Sequence, residues 1–186
     1  DPRVILWDMR LVKDQSEMDA LQHACDVTSA GVIAAMKAVR PNMMEYELAG
    51  VLEFEFRRRG ASRLSFDTIC AAGANAATLH YTRNDCRIGA NDMVLVDTGC
   101  ELGDMSADVS RTFPANGRFS EAGRAVYEWV LRAHKAATSA VRAGATYTSV
   151  QDAAVAVLCE GLIKLGVLKG TVQQAMEEAT YKPYFM

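Results

Sequence analysis

From residue 16 to 59 the apolar side chains recur at steps of three and four; from 64 to 113 they come instead in short runs broken by small and polar residues. The first pattern is that of helices with one buried stripe, the second that of a sheet. A strand-like lead over Val4–Trp7, continued by Met9 and Leu11, precedes Ser16, which with Asp19 reads as an N-cap and acidic first turn. Met18, Leu21, Cys25, Val32, Met36 and Val39 then mark a helix ending before Pro41. A second helix is expected over 44–59, with Leu48, Leu52 and Phe56 stacked four apart. Arg57, Arg58 and Arg59 followed by Gly60 fit its C-terminus, cations at the negative end of the dipole, better than a phosphate site.

Strands are expected over 64–70, 78–82, 93–96 and 105–113, with a small-residue loop over 71–77 and a stop at Pro114 and Asn116-Gly117. Ser120 caps a long helix carrying Ala122, Val126, Trp129, Val130, Ala133, Ala137 and Val141 and ended by Gly144. Further helices follow over 148–165 and 171–179. Val39-Arg40-Pro41 and Val141-Arg142-Ala143 each follow a long helix and lead into another, so the order helix, helix, strand pair occurs once in full and begins again. That division makes 1–12 a linker, 13–117 a first pseudo-repeat and 118–186 the start of a second. Tyr181–Met186 becomes an unpaired first strand or a packed tail, and with the apolar inner face of the sheet it favours self-association into a homo-oligomer.

Composition narrows the function. A chain of 186 residues, half of them hydrophobic, is one ordinary domain's worth of sequence. A net charge of −3 without a basic stripe argues against nucleic acid as a partner. No apolar run approaches the roughly 20 residues that span a bilayer, so no membrane partner is expected. The chain opens Asp1-Pro2-Arg3, with no visible leader. Cys25, Cys70, Cys86, Cys100 and Cys159 form no C-x-x-C pair. Free thiols in a reducing cytoplasm are the simpler reading, and one disulfide among Cys70, Cys86 and Cys100 is the alternative.

The chemistry concentrates in Val96-Asp97-Thr98-Gly99-Cys100-Glu101-Leu102-Gly103-Asp104-Met105-Ser106-Ala107-Asp108-Val109. A hairpin turning at Leu102-Gly103 sets Asp97 opposite Asp108, two aspartates inside strands, next to Val96 and Val109 and so desolvated. Like charges facing each other at such a spacing are destabilising unless neutralised. A divalent cation, or two bridged by a carboxylate, would do so; hard oxygen ligands suit Mn²⁺ or Mg²⁺, and an added imidazole admits Zn²⁺ or Co²⁺. Turn chemistry accounts for Asp104, and an Arg111 ion pair with either acid is disfavoured because Arg111, three residues on from Asp108, falls on the opposite face of a regular strand. From residues alone, backbone hydrogen bonds explain His80 better than a functional role does, Phe66 is equally well explained by the core, and His23 and His134 match no motif and read as packing or surface residues.

The blocks Ile69-Cys70-Ala71-Ala72 through Leu79-His80-Tyr81-Thr82 to Asn84, and Met93–Ser120, closely resemble the Xaa-Pro aminopeptidases (aminopeptidase P) of the creatinase-like, pita-bread metallopeptidases, and the likeness runs from Met9 to the end. The resemblance implies an α+β fold, the first half of a pita-bread domain, with an antiparallel sheet and helices packed on one face, the second half being truncated. It implies a dinuclear enzyme, two divalent ions and most readily Mn²⁺, cleaving peptides after an N-terminal residue that precedes proline. Asp97 matches a ligand to one metal, Asp108 the bridging ligand, His80 the histidine at the reacting carbonyl or leaving group, and Phe66 an aromatic position beside the substrate. A further histidine and two glutamates of the five-ligand site are expected beyond Met186, and a separate domain before residue 1, so this piece alone is expected to be inactive. Prolidase and methionine aminopeptidase relatives, or a pita-bread binding module without catalysis, are the alternatives.

Overall fold

A computed structural model describes residues 1–185. The chain divides into two compact units, Asp1–Arg118 and Phe119–Met186. The first begins with helix α1 (Pro2–Leu11), where a strand-like lead is expected from sequence. Asp1 caps it through the Arg3 N–H and Pro2 occupies the first turn, a start signal that outweighs the β-branched pair Val4-Ile5. Helix α2 (Gln15–Ala38) is capped by Asp14, not Ser16. The Asp14 carboxylate accepts from the Glu17 N–H at 2.9 Å, and Glu17 accepts from the Asp14 N–H at 2.9 Å. Its buried face is Ala24, Val27, Thr28, Gly31, Val32 and Ala35, so Met18 and Met36 of the expected stripe lie outside. Packing selects the small residues: a Cβ at Gly31 would overlap the ring of Phe56.

Helix α3 (Glu45–Arg58) buries Leu48, Leu52 and Phe56, as their spacing predicts. Arg58 and Arg59 pair with Glu55 at 2.8 and 3.2 Å, which accounts for much of the arginine run. Strand β1 (Arg63–Leu64) and strand β2 (Ile69–Ala72) replace the single strand expected over 64–70. A short 3-10 helix (Gly73–Ala77) follows, and 78–82 forms no strand. Strands β3 (Met93–Thr98), β4 (Cys100–Leu102), β5 (Met105–Ser106) and β6 (Val109–Pro114) complete the unit. They make two antiparallel sheets, ordered β1-β4-β5 and β2-β3-β6. Cys70, Ala72, Val94, Val96 and Phe113 pack against α2 and α3 in the main core, so the helices cover one sheet face.

One hairpin thus serves both sheets. Its turn is Gly103-Asp104, with φ of 56° and 59°, the left-handed pair that a two-residue turn between twisted strands requires. Leu102 therefore pairs with Met105, and Asp97 with Ser110. The register expected from a turn at Leu102-Gly103, with Asp97 opposite Asp108, is out by two residues.

The second unit contains α4 (Glu121–Ala140), capped by Ser120, α5 (Tyr147–Lys164), capped by Thr146, and the short α6 (Val172–Glu177). Gly161 of α5 lets the two long helices close, since a Cβ there would stand 2.7 Å from Trp129 Cγ. Tyr181–Tyr184 is a turn, not the expected strand. Tyr181 and Phe185 stack at 4.9 Å and pack against the cluster of Val155, Cys159 and Ala175. Burying these rings offers more than extending a strand with no neighbour to pair with. Met186, the last residue of the expected strand, lies outside the described residues.

Candidate active site

Ile69, Ala71, Leu95, Asp97 and Ser110 lie on the face of the β2-β3-β6 sheet turned away from α2 and α3. Asp97 is half-buried, and Ser110 Oγ donates to its Oδ1 at 2.9 Å. Asp108, expected inside a strand, lies instead in the break between β5 and β6, two residues before Ser110 and just outside the ladder that pairs Asp97. Desolvation first, then the charge of Asp97 and a hydrogen bond to it, push the Asp108 carboxyl above the usual carboxylate range. The two acids are therefore brought together, though not directly opposed. Nor is the pair as desolvated as the sequence suggests: Asp108 is exposed, because the covering segment lies on the β2 side of the face and leaves the β6 side open.

Gly99 makes the junction possible. Its Cβ, were there one, would collide with the Ala107 carbonyl, whose own N–H donates to Cys100 O at 3.0 Å. Below the junction, Thr28 Oγ1 accepts from the Cys100 N–H at 3.1 Å, and Thr68 and Thr98 hydroxyls meet at 3.2 Å. Five free cysteines are found, Cys70 and Cys100 among the buried ones.

The covering segment is 73–86. Its backbone is irregular, with Gly73, His80 and Asn84 at φ of 54°, 53° and 47°. Side chains hold it where a ladder would hold a strand. Asn84 works as a surrogate strand on the β2 edge: its Oδ1 accepts from the Cys70 N–H and its Nδ2 donates to Thr68 O, both at 2.7 Å. The buried carboxylate of Glu45 accepts from Ala72 N–H (2.8 Å), Asn75 Nδ2 (3.0 Å), Tyr81 OH (2.8 Å) and Cys86 N–H (3.0 Å). Tyr81 is itself buried against Ile69 and Ala71. Desolvation and the bond to Glu45 push its phenol up, so it stays a donor. His80, directly before Tyr81, is exposed. Phe66 lies half-buried in the connection between β1 and β2, beside Ser65, whose N–H donates to Gly99 O at 2.9 Å.

Among the described residues, two clusters offer metal-ligand chemistry. Glu45, Asp85 and Cys86 have ligand atoms within 4.8 Å of one another. Both Glu45 oxygens already accept two hydrogen bonds each, however, which makes this a hydrogen-bond knot. Asp97 and Asp108 fit a cation better: two hard oxygen donors whose mutual repulsion a divalent ion would reverse. Ser110, Glu45, Tyr81 and Asn84 escape the sequence reading. The first was accessible, because Gly-Asp is a recognisable two-residue turn whose placement pairs Asp97 with Ser110. For Glu45 the sequence shows only an acid in the first turn of a helix.

A model of metallopeptidase family M24 matches residues 19–184. The Xaa-Pro aminopeptidase of Haemophilus influenzae is 40% identical over 186 residues, which is 100% of this chain and 43% of that protein. The solved proline aminopeptidase P II from Yersinia pestis superposes with a TM-score of 0.96 at 39% identity, covering 99% of this chain and 42% of that one. A zinc-substituted Escherichia coli aminopeptidase P in complex with product gives 0.93 at 39% identity, over 96% and 40%. The chain therefore spans about two-fifths of the length of these relatives. Over that span it has their fold, the antiparallel sheets and helices of the corresponding part of the pita-bread architecture. With a family model matched from α2 to the turn after α6, and 40% identity to a relative over all 186 residues, the chain belongs to metallopeptidase family M24.

Proposed function

We propose that this chain is part of the catalytic domain of a metal-dependent Xaa-Pro aminopeptidase, which hydrolyses the bond between an N-terminal residue and a following proline. One observation carries the reading: the whole chain is 40% identical to the matching 43% of an enzyme of that name, and within it Asp97 and Asp108 lie close enough for the charge of the first to raise the carboxyl of the second. Asp97 and Asp108 would hold the metal, Mn²⁺ first on the hardness of their oxygens and two ions on the family pattern. A divalent metal held there would supply an acidified water and polarise the scissile carbonyl.

The residues of this chain do the rest by binding and orientation. An X-Pro bond is a tertiary amide without an N–H, so recognition falls to shape. Phe66 offers its ring to the proline side of the peptide. His80 donates a hydrogen bond at the reacting carbonyl as negative charge develops there, a contact stronger in the transition state than in the ground state. Ser110 orients Asp97 by its 2.9 Å bond. Five free thiols fit a cytoplasmic setting, and peptides are the partners; among the described residues no helix is long and apolar enough to cross a membrane.

The test uses two proteins: this 186-residue chain, and a protein of the relatives' full length that carries it. Titration of Mn²⁺ followed by calorimetry should show weak, substoichiometric binding to the first, with no turnover of an X-Pro peptide. The longer protein should bind two equivalents and turn over, and Asp97→Asn or Asp108→Asn should abolish both. There His80→Ala should lower kcat about a hundredfold with metal content unchanged. Loss of metal in step with activity would remove His80 from the substrate side, and tight binding of two ions by the short chain would refute the ligand assignment.

A further inference from the structure

Segment 73–86 carries the residue assigned to the substrate, yet that residue has no part in holding the segment down. His80 is exposed and sits at φ 53°, a left-handed conformation that a non-glycine residue keeps only when its surroundings impose it. The surroundings meet at one carboxylate. Glu45 Oε1 takes the Ala72 N–H and Asn75 Nδ2 from the start of the segment; Oε2 takes the Tyr81 hydroxyl from its middle and the Cys86 N–H from its end. The Glu45 N–H in turn donates to Cys86 O at 2.9 Å, so the helix start and the segment end bind each other in both directions. Asn75 Nδ2 also reaches Tyr81 OH at 3.0 Å, closing a small network. Glu45 is fully buried, and its helix is anchored in the main core by Leu48 and Leu52.

We propose that Glu45, acting through Tyr81, is the positioning residue that sets the backbone of His80 over the Asp97 face of the sheet. The proposal rests on the assignment of His80 to the substrate. The chemistry requires a carboxylate: four donors converge on two oxygens, and an amide of the same shape turns an N–H₂ toward two of them. The Tyr81 hydroxyl can rotate to accept instead, but the backbone N–H groups of Ala72 and Cys86 cannot. Tyr81 is the lever, since its ring is seated against Ile69 and Ala71, the strand neighbours of Asp97 and Leu95. Fixing Tyr81 fixes the residue next to it. A cation held by Glu45, Asp85 and Cys86 would have to displace those donors.

The test compares Glu45→Gln and Tyr81→Phe, the second keeping the buried ring and removing only the hydroxyl. In the full-length protein both should lower kcat for an X-Pro peptide about tenfold, in keeping with the cost of small displacements of a reacting group. KM and metal content should stay within twofold of wild type. Neither should lower kcat further in a His80→Ala background, a non-additivity that general loss of folded protein would not produce. In the 186-residue chain, the imidazole signal of His80 in proton–carbon spectra should shift or broaden in both variants, while those of His23 and His134 stay in place. Additive losses in the His80→Ala background, or an unchanged His80 signal, would overturn the proposal. If Glu45→Gln fails to fold, Tyr81→Phe decides alone. If the wild-type protein turns over no X-Pro peptide, the functional reading fails, and the imidazole spectra still decide whether Glu45 positions His80.

Discussion

The hairpin that carries Asp97 and Asp108 and the segment that carries His80 lie on the same sheet face, but they are built by different means. The hairpin is held by its own backbone: six paired positions between β3 and β6, and a turn whose two central residues adopt the required left-handed angles. Segment 73–86 has no ladder and is pinned by two side chains, Glu45 from the distant start of α3 and its own Asn84 folded back on the β2 edge. A ladder distributes its stabilisation over many bonds, so a single side chain there matters mainly if it collides. A pinned segment concentrates it, so a single deletion strands several donors together. The first arrangement suits side chains that must keep a fixed spacing; the second suits a residue whose backbone conformation is itself unfavourable.

The contrast is breakable at defined points. Collision in the hairpin should give the largest effect. Gly99→Ala drives a methyl into the Ala107 carbonyl, and strain in a packed site that cannot relax costs about 3 kcal/mol. In chemical denaturation the midpoint should fall with the slope unchanged; an unaltered midpoint would mean that the β3–β4 junction relaxes freely. Asn84→Ala comes next. It leaves the Cys70 N–H and the Thr68 carbonyl on a part-buried edge without their side-chain partner, at about 2 kcal/mol. Hydrogen exchange should accelerate at Cys70 and in 73–86 while β3 and β6 stay protected, and equal acceleration in both would erase the distinction drawn here.

The smallest effect depends on pH. The folded state holds the Tyr81 proton more tightly than the unfolded chain does. Stability from this group is therefore complete below the ordinary tyrosine pKa of about 10 and is lost as pH rises through the higher native value. Wild type should lose more unfolding free energy than Tyr81→Phe on going from about pH 9 to about pH 11. Parallel pH curves for the two proteins would show that burial of the hydroxyl beside Glu45 and Asp85 does not hold its proton.

Local pattern determined a good deal about this protein. The α3 stripe, the Ser120 cap and the strand at Met93–Val96 all follow from spacing between near neighbours, where geometry is nearly independent of the rest of the chain. The turn at Gly103-Asp104 was also within reach of local reading, and missing it moved the partner of Asp97 from Ser110 to Asp108. The family likeness rests on such local blocks as well.

Tertiary structure decided the rest. Which side of α2 is buried depends on the Phe56 ring arriving at Gly31, and the fate of Tyr181 and Phe185 on a helix cluster that accepts them. The hold on His80 depends on Glu45, which precedes Tyr81 by 36 residues. Such contacts carry no periodicity, since a buried carboxylate is defined by the donors that converge on it, and convergence exists only once the chain has folded.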